Sequence, residues 1–325
     1  MHDHAAFLAA ITASPDDDLP RLVYADWLDE SGEPAAAARA EFIRVQCELE
    51  RCASDHDRRM SLQKRERQLL KKHAAQWLAD LSAAQVLADR DPIVDKRPVW
   101  QFRRGFLHSA TVVAQRFAQV AETLYRVAPT VRAVFLCQGS GSVESLIRTP
   151  HLARVKELDL ERMCSCERCP ILNELRNLFA SPLVANLTHL RLARDRVDTE
   201  TTAALVASPH LTNLQVLDLR QNAVGLPGVR ALATARGFTE LRELNLSENG
   251  ISASGGQVLA RAPWLKGLRV LNLSRNQLTD TSGRALLNAD FGDTLVRLDL
   301  QTNELSKGMK KQLKAKYGDR VQFEK

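Results

Sequence analysis

Leucines recur through the second half of the chain at a fixed interval. Leu187, Leu214, Leu241, Leu268 and Leu295 stand 27 residues apart. Each opens a run with leucine at its first, fourth and sixth positions, as in Leu187, Leu190 and Leu192 or Leu268, Leu271 and Leu273. Alternation about the fourth and sixth positions predicts a short strand with leucines inward and intervening residues outward. Asn222, Asn249, Asn276 and Asn303 take the ninth position in four units, and Val197, Val224, Ile251, Leu278 and Leu305 follow two places on. Such an asparagine can both donate and accept hydrogen bonds where the backbone leaves the strand. The second half of each unit, as in residues 228–235, spaces apolar residues at the helical interval.

One strand and one helix cannot bury an apolar face alone, so the units must stack. The pattern is that of leucine-rich repeats, and units of 27 residues with true helices resemble the ribonuclease-inhibitor type. The predicted fold is α/β: a right-handed, curved leucine-rich-repeat solenoid with a parallel inner sheet and outer helices. Weaker copies extend upstream, at Val155, Leu158 and Leu160, at Val131, Val134 and Leu136, and at Leu107, Ala110 and Val112. That makes about eight units including caps, closed by a helix and edge strand between Met309 and Phe323. The unit opened by Val155 is five residues too long, since Leu187 follows it by 32.

Residues 1–95 are alanine-rich, helical in pattern and free of the repeat, and they predict a small all-α domain ahead of a solenoid over 96–325. Pro15 and Asp16–Asp18 signal a helix start, with acids at the positive end of the dipole. Asp91-Pro92 and Lys96-Arg97-Pro98 mark a linker. Three segments here, Phe7-Leu-Ala-Ala-Ile11, residues 16–30 from Asp16 through Tyr24-Ala-Asp-Trp27 to Glu30, and Ala40-Glu-Phe-Ile-Arg-Val-Gln-Cys-Glu-Leu49, resemble the bacterial repeat-companion domain. Arg104-Gly-Phe-Leu107 has the same look. The resemblance covers about residues 5–52 and implies a module that accompanies repeats in bacterial proteins. It implies no activity.

Composition narrows the function. No apolar run approaches the ~18–20 residues of a membrane span. The first residues, Met1-His-Asp-His-Ala5, lack the basic and apolar regions of a secretory signal, so a cytoplasmic location is the expectation. The net charge of +6 is segregated, for residues 1–57 hold 13 acids against four Lys or Arg, and residues 58–130 hold 14 Lys or Arg. Such blocks suit either an outside partner or each other.

Three constellations are candidates for chemistry. The first is the outward face of the sheet, where Asp159, Glu161, Arg191, Arg194, Asp218, Arg220, Asn245, Glu248, Asn272, Arg275, Asp299 and Gln301 form polar ladders suited to a protein partner. The second is Cys164-Ser-Cys166-Glu-Arg-Cys169 in the overlong unit, whose thiolates could hold a structural zinc with Cys137 or His151 as fourth ligand, or stand as free thiols. The third is Arg58 to Lys72, seven basic residues in fifteen, without an aromatic for base stacking. Motifs for phosphate cradles, nucleophile elbows and zinc hydrolases are missing.

The reading is a non-enzymatic, monomeric protein-binding module or scaffold that engages a protein through the concave face of its solenoid. Two alternatives stay open. One is a GTPase-regulating or ligase-associated role by analogy of fold. The other is a nucleic-acid-associated adaptor using the basic helix 58–72 and the basic tail.

Overall fold

A computed structural model describes residues 2–52, 55–88, 98–137, 143–163 and 171–324. It divides into two compact units, one of residues 1–112 and 119–134, the other of residues 113–118 and 135–325.

Among the described residues of the first unit, five helices precede any strand: α1 His2–Ala13, α2 Leu19–Glu30, α3 Pro34–Arg51, α4 His56–Trp77 and α5 Ala79–Ala83. Helix α2 begins where the acidic run predicts, and Asp17 Oδ1 accepts the Leu19 N–H at 2.9 Å. Asp55 caps α4 by accepting the Arg58 N–H at 3.0 Å. Strands β1 Trp100–Arg103 and β2 Phe106–Val113 then form an antiparallel hairpin, and helix α6 runs over Phe117–Val127. The core gathers Ile11, Tyr24, Ala25, Leu28, Ala40, Ile43 and Cys47 from the helices with Phe106 from the hairpin.

The hairpin therefore groups with the helices, and the division falls later than the 95/96 boundary suggested by composition. Its turn explains why. Arg104 and Gly105 take left-handed backbone, with φ of +51° and +85°. The Gly105 N–H donates to Gln46 Oε1 at 2.6 Å, and Arg104 Nη1 meets Asp18 Oδ1 at 2.5 Å. The residues Leu107, Ala110 and Val112, read above as the first repeat, lie in β2 of this hairpin.

The segregated charges meet inside this same unit. Glu48 pairs with Arg58 at 2.6 Å, Glu41 with Arg65 at 2.5 Å and Glu50 with Arg103 at 3.0 Å. Two of the seven basic residues of the 58–72 stretch are thus held by acids of α3. Between them, Gln46 Nε2 reaches Glu66 Oε1 at 2.7 Å.

Strand β3, Ala133–Cys137, spans the division. The second unit continues with α7 Val143–Leu146, β4 Glu157–Asp159, α8 Ile171–Ala180, β5 His189–Arg191, α9 Thr199–Ala207, β6 Val216–Asp218 and α10 Gly225–Ala233. It ends with β7 Glu243–Asn245, α11 Ser252–Leu259, β8 Val270–Asn272, α12 Asp280–Leu287, β9 Arg297–Asp299, α13 Lys307–Tyr317 and β10 Val321–Gln322. Strands β4 to β9 pair in parallel in chain order, in one register that sets Leu158, Leu190, Leu217, Leu244, Leu271 and Leu298 side by side. All six leucines are buried. Successive strands sit ~4.8 Å apart while packed helices need ~8–10 Å, so the strand side is the inner side of the bend.

The tail closes the stack. Strand β10 lies parallel to β9, and Leu300 N–H donates to Gln322 O at 2.9 Å. Among the described residues, no helix is long and apolar enough to cross a membrane.

Candidate functional site

The outward face of β4 to β9 is built from three rows, which follow from the strand alternation. The first contains Glu157, His189, Val216, Glu243, Val270 and Arg297, placed next to one another by the register. The second contains Asp159, Arg191, Asp218, Asn245, Asn272 and Asp299, and the third Glu161, Arg220, Ser247, Ser274 and Gln301.

The second row has an internal task. Oδ1 of Asp159, Asp218, Asn245, Asn272 and Asp299 each accepts the backbone N–H two residues on, at 2.9–3.1 Å. A short side chain with a carbonyl or carboxylate oxygen on Cγ is what such a turn demands, since it stands in for a backbone carbonyl. Asp159, Asp218 and Asp299 are also buried, and Arg191 alone breaks the Asp/Asn pattern. Burial pushes the Asp218 carboxyl above its ordinary range, against the Arg220 N–H and guanidinium, which favour the charged form.

The chain then turns through a left-handed residue at the same place in successive units: Arg162, Arg194, Gln221, Glu248, Arg275 and Thr302, with φ of +53° to +65°. Thr302 is exposed and β-branched, the type least suited to this region. Thr302→Gly is therefore expected to raise the unfolding free energy by about 0.5–1 kcal/mol, read by urea denaturation.

This turn brings the predicted residues Arg194, Glu248 and Arg275 into one polar network with Glu161, Asp218 and Arg220. Arg220 meets Glu161 at 2.7 Å and Asp218 at 3.1 Å. Arg194 approaches Glu161 at 3.9 Å and donates through Nε to Gln221. Gln221 donates to Glu248 at 2.9 Å, and Glu248 pairs with Arg275 at 3.3 Å. Arg191 stands 3.7 Å from Glu157, and Arg297 meets Asp299 at 2.9 Å. These pairs are half-exposed, so each adds only a few tenths of a kcal/mol to stability, up to ~1. Their effect is to fix a charge pattern on the face.

Beneath the network runs the asparagine ladder. Asn222 Oδ1 accepts the N–H groups of Asp195 and Val197, and its Nδ2 donates to Leu192 O. Asn276 Oδ1 takes those of Asn249 and Ile251, and Asn303 those of Asn276 and Leu278. Asp195 fills the place of the first asparagine and accepts the Met163 N–H at 2.7 Å. Every rung reaches back into the preceding unit.

Sequence reasoning passed over the first row. The signal was present, because residues immediately before the strand leucine alternate outward as surely as those after it. Cys164, Cys166 and Cys169 lie outside the described residues. Among the described residues, no cluster of three His, Cys, Asp or Glu side chains could hold a metal ion.

The leucine-rich-repeat family model matches residues 210–233, 239–260 and 268–287. These three stretches run from the helical turn before β6 through α10, and over the two units that follow. No curated protein matches the chain in sequence. Among solved structures, an internalin (inlF) from Listeria monocytogenes matches over 66% of this chain and 71% of its own, at 15% identity and a TM-score of 0.31. In its second unit, then, the chain carries leucine-rich repeats, stacked strand on strand with their helices on the other side.

Proposed function

We propose that the chain is a non-enzymatic protein-binding module whose partner lies across the outward rows of β4 to β9. The first row carries the reading. It sets Val216 and Val270, both half-buried, among His189, Glu243 and Arg297 on neighbouring strands, so apolar and charged groups alternate over a rigid surface. That mixture matches the composition of protein interfaces, which are about as apolar as other surface and rely on a few well-placed groups. The second row is occupied by its own turns, so the first row and the Arg194–Arg275 network are the contact groups.

The test is a paired comparison. Val216→Arg combined with Glu243→Arg is expected to leave the melting temperature unchanged and to abolish capture of partners seen with the unaltered chain. Glu200→Arg with Arg230→Glu, on α9 and α10, is expected to leave capture intact. The opposite pattern, with the strand variant binding and the helix variant silent, overturns the reading.

A further inference from the structure

The first unit holds an arginine in an unusual place. Arg39 sits on α3 between four aromatic rings, with its guanidinium carbon 4.7 Å from the centroid of Trp77, 5.2 Å from Phe102, 5.4 Å from Phe106 and 5.8 Å from Phe42. Its Nη1 is shut off from solvent and makes no hydrogen bond among the described residues. None of the ion pairs among the described residues involves it, although Arg44, Arg51, Arg58 and Arg65 of the same helices all meet carboxylates. The ring faces attract a cation and hold it in position, but they supply no acceptor for its N–H groups.

A cavity of about 410 Å³ opens beside it, lined by Arg39, Tyr24, Trp77, Phe102 and Phe106 with Leu8. Its size falls in the range of small-molecule sites, and its character matches theirs, an apolar wall with few polar groups. Gln76 and Thr130 also line it; Tyr24 Oη and His4 Nδ1 share a hydrogen bond of 2.8 Å and Thr130 Oγ1 donates to Leu107 O at 2.9 Å, so these three are already engaged. Burial pulls the Arg39 pKa down to about 10, which leaves it cationic at neutral pH. A charge kept in such surroundings without a counter-charge works against folding, which is a recurring mark of a binding site.

We propose that this cavity binds a carboxylate carried on an apolar body, with the Arg39 guanidinium as its counter-charge and the aromatic walls covering the body. A carboxylate fits better than a phosphate group. The planar fork of one guanidinium matches two carboxylate oxygens, whereas a doubly charged group would leave half its charge unpaired in an apolar wall. The carboxylate has two sources, a free small acid or the C-terminus of a peptide.

The experiment is calorimetric titration of the full chain with 4-phenylbutyrate, its neutral amide, and the tripeptide Leu-Leu-Phe with a free or amidated C-terminus. Saturable binding of an acid, with the matching amide weaker by about tenfold or more, is the expected result. Preference for 4-phenylbutyrate identifies a small acid, and preference for the tripeptide identifies a chain end. Arg39→Met is expected to remove the difference between acid and amide while melting no lower than the unaltered protein, because it deletes an unpaired charge. Ala36→Phe, which fills the cavity without touching the charge, is expected to abolish binding and covers the case in which the first variant does not fold. Equal binding of acid and amide, no saturable binding of any acid at millimolar concentration, or unchanged binding in Ala36→Phe overturns the proposal.

Discussion

Leu271→Asp unfolds the second unit. Leu271 is fully buried in β8, with Leu244 and Leu298 beside it in register. Removing a buried leucine side chain costs about 2–5 kcal/mol in lost transfer and cavity energy alone. The new carboxylate adds several kcal/mol more, either as a desolvated charge or as protonation forced far above its usual pKa. Together these reach the ~5–15 kcal/mol that holds a typical domain folded. Circular dichroism at 25 °C should show the repeat signal lost, while Leu271→Met retains it at a cost below ~1.5 kcal/mol. A soluble Asp variant with the melting curve of the unaltered chain would overturn the register.

Gly105→Ala is expected to destabilise the first unit by about 3 kcal/mol. Two costs add. At φ +85° any residue with a Cβ carries a backbone penalty of ~1 kcal/mol. The added Cβ would also stand 2.4 Å from Ile43 Cγ1 and 2.7 Å from Ile43 Cα, so the backbone of α3 itself has to move, at about 1–3 kcal/mol. Moving either element also strains the bond from the Gly105 N–H to Gln46. Gly32→Ala is the control, since its φ is also positive at +69° but open space surrounds it. Equal losses at the two positions, measured by chemical denaturation, would show that the conformation alone matters and that the close approach to Ile43 does not.

The repeat array was legible in the sequence because its information is periodic. A 27-residue spacing of leucines states the register outright, and the paired leucines of β5 to β9 follow from it without any knowledge of the loops. The closing helix and strand were legible for the same reason, as apolar positions left over after the last unit. The outward residues were read less completely. Asp218 and Asn272 satisfy a surface pattern and a turn pattern equally well, and only the hydrogen bond to the N–H two residues on separates the two. The recurrence of Asp or Asn at that one position, broken only by Arg191, was the available clue. Arg39 left no local trace at all. Its immediate neighbours on α3 are alanines, and of the four rings that enclose it only Phe42 lies on the same helix; Trp77 comes from α4 and Phe102 and Phe106 from the hairpin, contacts that no periodicity within one helix encodes. The hairpin turn was likewise hidden, because Phe106 to Val112 also satisfies the spacing of a weak repeat.

The backward reach of each asparagine gives the array a direction in time. A ribosome delivers the chain from its first residue onward, so the turn of one unit emerges before the side chain that will satisfy it. The N–H groups of Asn276 and Leu278 wait for Asn303, just as those of Asp195 and Val197 wait for Asn222. Each newly made unit thus locks the one before it and leaves its own turn open. Premature termination anywhere between β5 and β9 would then strand a row of unsatisfied donors at the growing edge, while loss of an equal length from the opposite end would free side-chain amides together with strand-edge backbone groups, such as the Thr188 and His189 N–H groups that donate to Lys156 O.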